Sequence, residues 1–202
     1  MLLPTVIVKP SAIDGHGLIA TRDIPQGCVV WLPCPECRVW SEQELKNMST
    51  EQAQWLDTYG YTLDNGKTLL PCHNAYQMNH SCEATTLDFG LDFCVAIRNI
   101  QAGEEVTCDY RTFSSDPPWT LTCHCNTPHC IGTFRSTDGY NSEVQRQWAN
   151  KLEPILPLIR TVEQPLHTIL MQASSSYRQI WTAAEGFVCK ADVSIRRPSF
   201  YR

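Results

Sequence analysis

The sequence predicts an α+β domain, mostly β, made of short strands with one helical insert and a helical C-terminal extension. Short β-branched runs such as Val6-Ile7-Val8 are cut by turn signals such as Asp14-Gly15-His16-Gly17, which suits small strands. One stretch, residues 41–56, opens with helix-start signals, and after Gly139 the apolar spacing becomes helical. With 43% hydrophobic residues in 202, the chain can build one core and a small helical appendage.

Residues 1–33 read as short strands and turns. Within them Ala20-Thr21-Arg22-Asp23-Ile24-Pro25-Gln26-Gly27-Cys28-Val29-Val30 echoes Ala96-Ile97-Arg98-Asn99-Ile100-Gln101-Ala102-Gly103-Glu104-Glu105-Val106, with Ala, Arg, Asp/Asn, Ile, Gly and Val at equal offsets. A strand, a glycine-closed turn and a second strand explain the shared pattern. In the insert, Ser41 with Glu44 forms a capping box, and a second helix start falls at Ser49 or Thr50. Residues 59–63 alternate as a strand, Asp64-Asn65-Gly66-Lys67 is a hairpin turn, and residues 93–97 are another strand. Ser114-Ser115-Asp116-Pro117-Pro118 reads as a loop. Residues 142–159 and 165–184 have helical spacing, the first interrupted by Pro154 and Pro157.

The formal charge of −5, with no basic run longer than Arg196-Arg197, disfavours sequence-independent nucleic-acid binding and suits a basic peptide partner. Residues 1–8 are apolar but short, contain Pro4 and lack a basic leader, so they read as a strand and not a signal peptide. No apolar stretch approaches the roughly 20 residues of a membrane span. The expected location is intracellular, cytoplasmic or nuclear.

Cys123, Cys125 and Cys130 form C-x-C-x-x-x-x-C, with Asn126 and Pro128 inside it. Three thiols in a tight loop read as a metal site, and zinc needs a fourth ligand. Cys82, beside His80, leads the candidates, with His124 and His129 as local substitutes. Disulfides are disfavoured, because the eleven cysteines are an odd number and no secretory leader precedes them. Cys34-Pro35-Glu36-Cys37, with Cys72-His73 far downstream, raises the question of a second zinc. Isolated C-x-x-C pairs are common false signals, so one zinc is expected.

Three motifs follow in order: Asn79-His80-Ser81-Cys82, then Gly103-Glu104-Glu105-Val106-Thr107-Cys108-Asp109-Tyr110, then the cysteine loop. Together they resemble a SET-domain protein-lysine methyltransferase with a cysteine-rich post-SET segment. The resemblance covers residues 5–135. It implies a SET domain at 1–113 with an insert at about 34–58, a post-SET zinc segment at 114–138, and a helical extension at 139–202. It also implies a pseudoknot that brings Asn79-His80 beside Tyr110.

The resemblance implies S-adenosylmethionine as cofactor and one structural zinc held by Cys82, Cys123, Cys125 and Cys130. The cofactor pocket would be lined by Gly15, His16, Gly17, Leu18, Asn79, His80, Tyr110 and Phe134. Tyr110 would orient the lysine amine, Tyr59 would wall the lysine channel from a strand, and Cys108 would replace the usual Tyr or Phe and widen the pocket. After the N-H-S-C motif the family has Pro and Asn. Here Ala84 and Thr85 follow Glu83, which loosens the expected turn. The expected substrate is a lysine-bearing, basic protein. A zinc-stabilised interaction module without activity, and an S-adenosylmethionine-dependent enzyme acting on a small molecule, are the alternatives.

Overall fold

The computed structural model describes residues 1–63, 65–113 and 118–183. Asp64 of the hairpin turn, most of the 114–118 loop, Ala184, Cys189 and Arg196-Arg197 lie outside the described residues. The strands are β1 (Val6–Pro10), β2 (His16–Ala20), β3 (Val29–Trp31), β4 (Arg38–Trp40), β5 (Tyr61–Thr62), β6 (Thr68–Leu70), β7 (Thr86–Leu87), β8 (Cys94–Ala96), β9 (Glu105–Val106), β10 (Thr120–Thr122) and β11 (Thr133–Arg135). The helices are α1 (Glu42–Lys46), α2 (Thr50–Tyr59), α3 (Ser142–Leu152), α4 (His167–Ala173) and α5 (Ser175–Thr182). The strands form small antiparallel sheets ordered β1-β2-β9, β3-β8-β7, β4-β6-β5 and β10-β11.

The echoed segments turn out to pair with each other. Ile24 and Ile100 exchange backbone hydrogen bonds at 2.8 and 2.9 Å. Gly27 N–H donates to Ala96 O, and its counterpart Gly103 N–H donates to Ala20 O, both at 2.8 Å. The side chains repeat the exchange: Asn99 Oδ1 accepts from Gln26 N–H at 2.9 Å and Asp23 Oδ1 from Ala102 N–H at 2.8 Å. Gly27 and Gly103 sit at φ +89° and +87°, a region costly for other residues. The repeat is therefore a local pseudo-twofold that joins the sheet holding β2 and β9 to the sheet holding β3 and β8.

The insert begins as expected. Ser41 caps α1 with Glu44 at its third position, and Ser49 caps α2 with Gln52, both as reciprocal capping boxes. It then departs: α2 runs on through Tyr59, so only Tyr61–Thr62 remain as strand. Continuing the helix buries Leu56 and leaves Gly60 to end it, which outweighs the β preference of Tyr and Thr. Around these helices, β4, β5 and β6 make one sheet over residues 38–70.

The C-terminal helices join the main core. Trp148, Leu152, Ile159, Leu170 and Tyr177 are 0–2% exposed and cluster with Leu18, Val29, Val95 and Val106 of the strands. Gln164 stitches the layers: its Oε1 accepts from Val29 N–H at 2.9 Å, and its Nε2 donates to Gly27 O at 2.8 Å. The second helical stretch is two helices, α4 and α5. The chain breaks at Ser174, whose hydroxyl accepts from Tyr177 N–H and donates to the buried Asp92. A 3-10 turn over Leu156–Arg160, after Pro154 and beginning around Pro157, follows α3.

Candidate active site

The site forms where two distant segments cross. His80 and Cys108 make a parallel bridge: Ser81 N–H donates to Cys108 O at 3.1 Å, and Cys108 N–H donates to Asn79 O at 3.0 Å. This crossing places Asn79-His80 directly against Cys108-Asp109-Tyr110.

The Asn79 side chain ties the G-x-G loop to this crossing. Its Nδ2 lies 3.0 Å from His16 O, 3.1 Å from Asp14 O, 3.1 Å from Ser11 Oγ and 2.9 Å from Glu105 Oε1. The amide therefore clamps the carbonyls on either side of Gly15 and fixes the G-x-G loop. Gly17 must be glycine, because a Cβ there would meet Glu105 Oε1 at 2.1 Å. A Cβ at Gly15 would meet nothing within 4 Å, so the loop opens to space at Gly15, which holds φ +45°. His16 is exposed, while Gly17 and Leu18 turn inward in β2.

His80 is 3% exposed. Its Nδ1 accepts from Tyr110 N–H at 3.1 Å, while Nε2 lies 3.5 Å from Cys82 Sγ. Burial drives its pKa down to about 4, against the opposing pull of Asp109, so the ring is neutral. Phe134 packs on this ring at 4.5 Å and meets Trp119 edge-on at 5.8 Å. The structure thus places Phe134 over His80, with Trp119 beside it.

Tyr110 donates its hydroxyl to Met78 O at 2.7 Å. Burial first, then Cys108, Asp14, Tyr59 and Glu105, pushes the phenol pKa far above its usual value, so it stays a neutral donor. Behind it, burial alone would raise the Asp109 carboxyl, but Arg111 and Trp148 outweigh that and hold it below its usual range. Arg111 grips it through Nε at 2.9 Å and Nη2 at 2.6 Å, and Trp148 Nε1 donates at 2.9 Å.

Tyr110, Cys108 and Tyr59 all line one cleft of about 840 Å³, together with Trp31, Tyr61, Met78, Asp88 and Phe113. Tyr59 reaches it from the end of α2, not from a strand, within an aromatic trio with Trp55 and Tyr76. The strand aromatic is Tyr61, stacked parallel to Phe113 at 6.3 Å. Asp88 is a site residue that no sequence motif marks. Its Oδ1 is buried without a hydrogen-bond partner, and burial raises its pKa to about 6.

The turn after Cys82 is not loose. Thr85 and Thr107 exchange hydrogen bonds, Thr107 N–H to Thr85 Oγ1 at 2.8 Å and Thr85 N–H to Thr107 Oγ1 at 3.1 Å. Thr86 adds its hydroxyl to Thr107 O at 2.8 Å. Threonine side chains do here what a proline would do by restricting the backbone.

Cys82, Cys123, Cys125 and Cys130 bring their sulfurs within 4.8 Å of one another, a set that could hold a metal ion. Cys82 and Cys123 are 3.7 Å apart, close to the sulfur separation of about 3.8 Å expected of a zinc tetrahedron with Zn–S of about 2.3 Å. Ile131 N–H donates to Cys82 Sγ and Cys125 N–H to Cys123 Sγ, both at 3.4 Å, bonds that would also support these sulfurs as thiolate ligands. His129 is drawn to Glu83 at 2.7 Å, tying the loop back to the turn after Cys82. A second group, Cys34, Cys37 and Cys72, also lies within 4.8 Å and could likewise hold a metal ion.

Residues 15–111 match the sequence model of the SET domain. These residues have the SET-domain fold. The matched segment holds the G-x-G loop, the crossing and Tyr110. The chain is also 32% identical over 91 residues to histone-lysine N-methyltransferase ATX2 of Arabidopsis thaliana, a match covering 40% of this chain. That match covers 8% of the length of the Arabidopsis protein. Among the described residues, no helix is long and apolar enough to cross a membrane.

Proposed function

We propose that this protein transfers a methyl group from S-adenosylmethionine to the side-chain amine of a lysine in a protein. The observation that carries the proposal is Tyr110, whose hydroxyl is fixed on Met78 O beside the Asn79–Cys108 crossing and whose side chain lines an apolar aromatic cleft. The family match and the likeness to a histone-lysine methyltransferase support the same reading.

S-adenosylmethionine, when bound, supplies an electrophilic methyl on a positive sulfonium. The loop over Gly15 to Leu18, Asn79, His80, Tyr110 and Phe134 would hold it. They fit such a ligand: the loop is open at Gly15 and clamped by Asn79, and the carboxylates of Asp14 and Glu105 act on the Tyr110 hydroxyl from nearby, favouring a cation. The four thiols at Cys82 would hold one structural zinc that staples the cysteine loop to the His80 segment.

The chain's own part is positional. A lysine amine has a pKa of about 10.4 and must lose its proton before it is nucleophilic. The walls of Trp31, Tyr61 and Phe113 exclude water and lower that pKa by desolvation. Tyr110, neutral throughout, orients the amine by hydrogen bonding, and alignment supplies much of the rate. Cys108 leaves room beside the amine that Tyr or Phe would fill.

The direct test is titration calorimetry with S-adenosylmethionine, followed by mass spectrometry of basic proteins incubated with the enzyme. Binding is expected, with Asn79→Ala weakening it while the protein remains folded. Added methylene mass should map to lysine. A folded protein that binds no S-adenosylmethionine would sink the proposal.

A further inference from the structure

The region between β3 and the Asn79 segment is an excursion of the chain, residues 38–71, carrying β4, α1, α2, β5 and β6. Its apolar core is small: Leu63 and Leu69 cluster with Cys34 and Cys37, and Trp40 and Leu56 are further buried apolar side chains among its described residues. So little apolar burial rarely holds a subdomain without a cross-link or metal. Cys34 and Cys37 stand where the chain enters the excursion, and Cys72 stands where it leaves.

We infer that Cys34, Cys37 and Cys72, completed by His73, form a second zinc site that clasps the two ends of the insert. The three sulfurs lie within 4.8 Å of one another. Cys34 and Cys72 are 3.5 Å apart across 38 residues, near the roughly 3.8 Å spacing of zinc-bound thiolates and similar to the 3.7 Å of Cys82 and Cys123. The Cys34–Cys37 segment is a tight turn, with Cys37 N–H donating to Cys34 O at 2.9 Å and Cys34 N–H donating to Cys37 Sγ at 3.4 Å.

His73 supplies the fourth donor. Its Nδ1 is 3.1 Å from Cys72 Sγ, and a modest turn of this exposed ring would bring it to a metal held by the three sulfurs. Its Nε2 is 3.3 Å from Glu36 Oε2, the carboxylate inside the C-x-x-C turn. A metal-bound histidine typically donates its far N–H to such a carboxylate, which fixes the ring and its tautomer. His73 and Asn74 both occupy positive φ, 56° and 60°, a backbone uncommon outside glycine, immediately after Cys72. Three thiolates and an imidazole suit zinc, leave no open coordination position and release the thiol protons on binding.

The clasp bears on the cleft. Cys72-His73 lead directly into the turn Ala75–Gln77, which carries Tyr76 of the aromatic trio, and then to Met78, whose carbonyl receives the Tyr110 hydroxyl. A metal there would fix the outer wall of the cleft from outside the catalytic crossing.

The test counts zinc on the full chain by native mass spectrometry and maps its protection by alkylation. Wild type should carry two zinc ions. Cys72→Ser should retain one and Cys125→Ser should retain one, so the two sites are read independently. In zinc-loaded wild type, Cys34, Cys37 and Cys72 should resist iodoacetamide until a chelator is added, a readout that does not depend on any variant folding. Glu36→Gln should weaken this second zinc by roughly 10–100-fold in chelator competition, as loss of a histidine's orienting partner does. Rapid alkylation of all three cysteines in the zinc-loaded protein, or a disulfide joining two of them, would overturn the site. Unchanged zinc affinity in Glu36→Gln would overturn His73 as its fourth ligand.

Discussion

At the scale of single residues, Cys108 and Asp109 flank the same backbone step but face opposite tasks. Cys108 lines the cleft beside Tyr110 and is 3% exposed. Its thiol is a small, weak donor where a phenol would fill space and donate strongly. Cys108→Tyr should therefore shift products from di- and trimethyl-lysine towards monomethyl-lysine, read as the ratio of methylated forms in a peptide digest. Unchanged ratios would mean that residue 108 does not face the amine.

Asp109 points the other way, into Arg111 and Trp148. Its folded pKa is lowered by these partners. Its contribution to stability is therefore full above the unfolded value near pH 4 and is lost as pH falls through the folded value. Denaturant unfolding should show Asp109→Asn less stable than wild type at pH 7, with the gap closing in acid. A gap independent of pH would contradict the charge-based account. The sequence motifs singled out Asn79, His80 and Tyr110, and the fold brings these three together. Asp88 was not among them, because what singles it out is burial beside Cys94 and Cys108, and no short pattern encodes that.

At the scale of elements, the echoed segments show what sequence repetition can and cannot say. It correctly marked strand, glycine turn and strand. It did not show that the copies pair with each other, since equal offsets carry no information about contact. The two glycines also differ in their neighbours. A Cβ at Gly103 would meet nothing, whereas one at Gly27 would meet Leu158 Cβ at 2.8 Å. Both alanine variants bear positive-φ strain of about 1 kcal/mol or more. Gly27→Ala should cost distinctly more, because it also pushes the 3-10 turn off the sheet. Equal melting-temperature losses would show that Gly27 does not seat the C-terminal helices. The insert teaches a related lesson: its capping boxes fixed both helix starts, yet α2 overran the expected strand at Tyr59 because burial of Leu56 decided the end.

At the scale of the whole molecule, the strands, crossing and cysteine loop were anticipated, but the role of the C-terminal helices was not. Their helical spacing was visible. That they close the main core, through Trp148 on Asp109, Gln164 on Val29 and Ser174 on Asp92, depends on long-range contacts that periodicity cannot report. One of these contacts reaches the residue adjoining Tyr110, so core and site are built together. The account's central claim is that this assembled site moves a methyl group to lysine through the placement supplied by Tyr110. The most direct measurement is transfer of isotope-labelled methyl from S-adenosylmethionine to a basic protein acceptor, comparing wild type with Tyr110→Phe and mapping the label by mass spectrometry. The account predicts label on lysine, a rate lower by about 10²-fold in the variant, and S-adenosylmethionine binding retained in both. Label on a small molecule, or an unchanged rate in Tyr110→Phe, would contradict it.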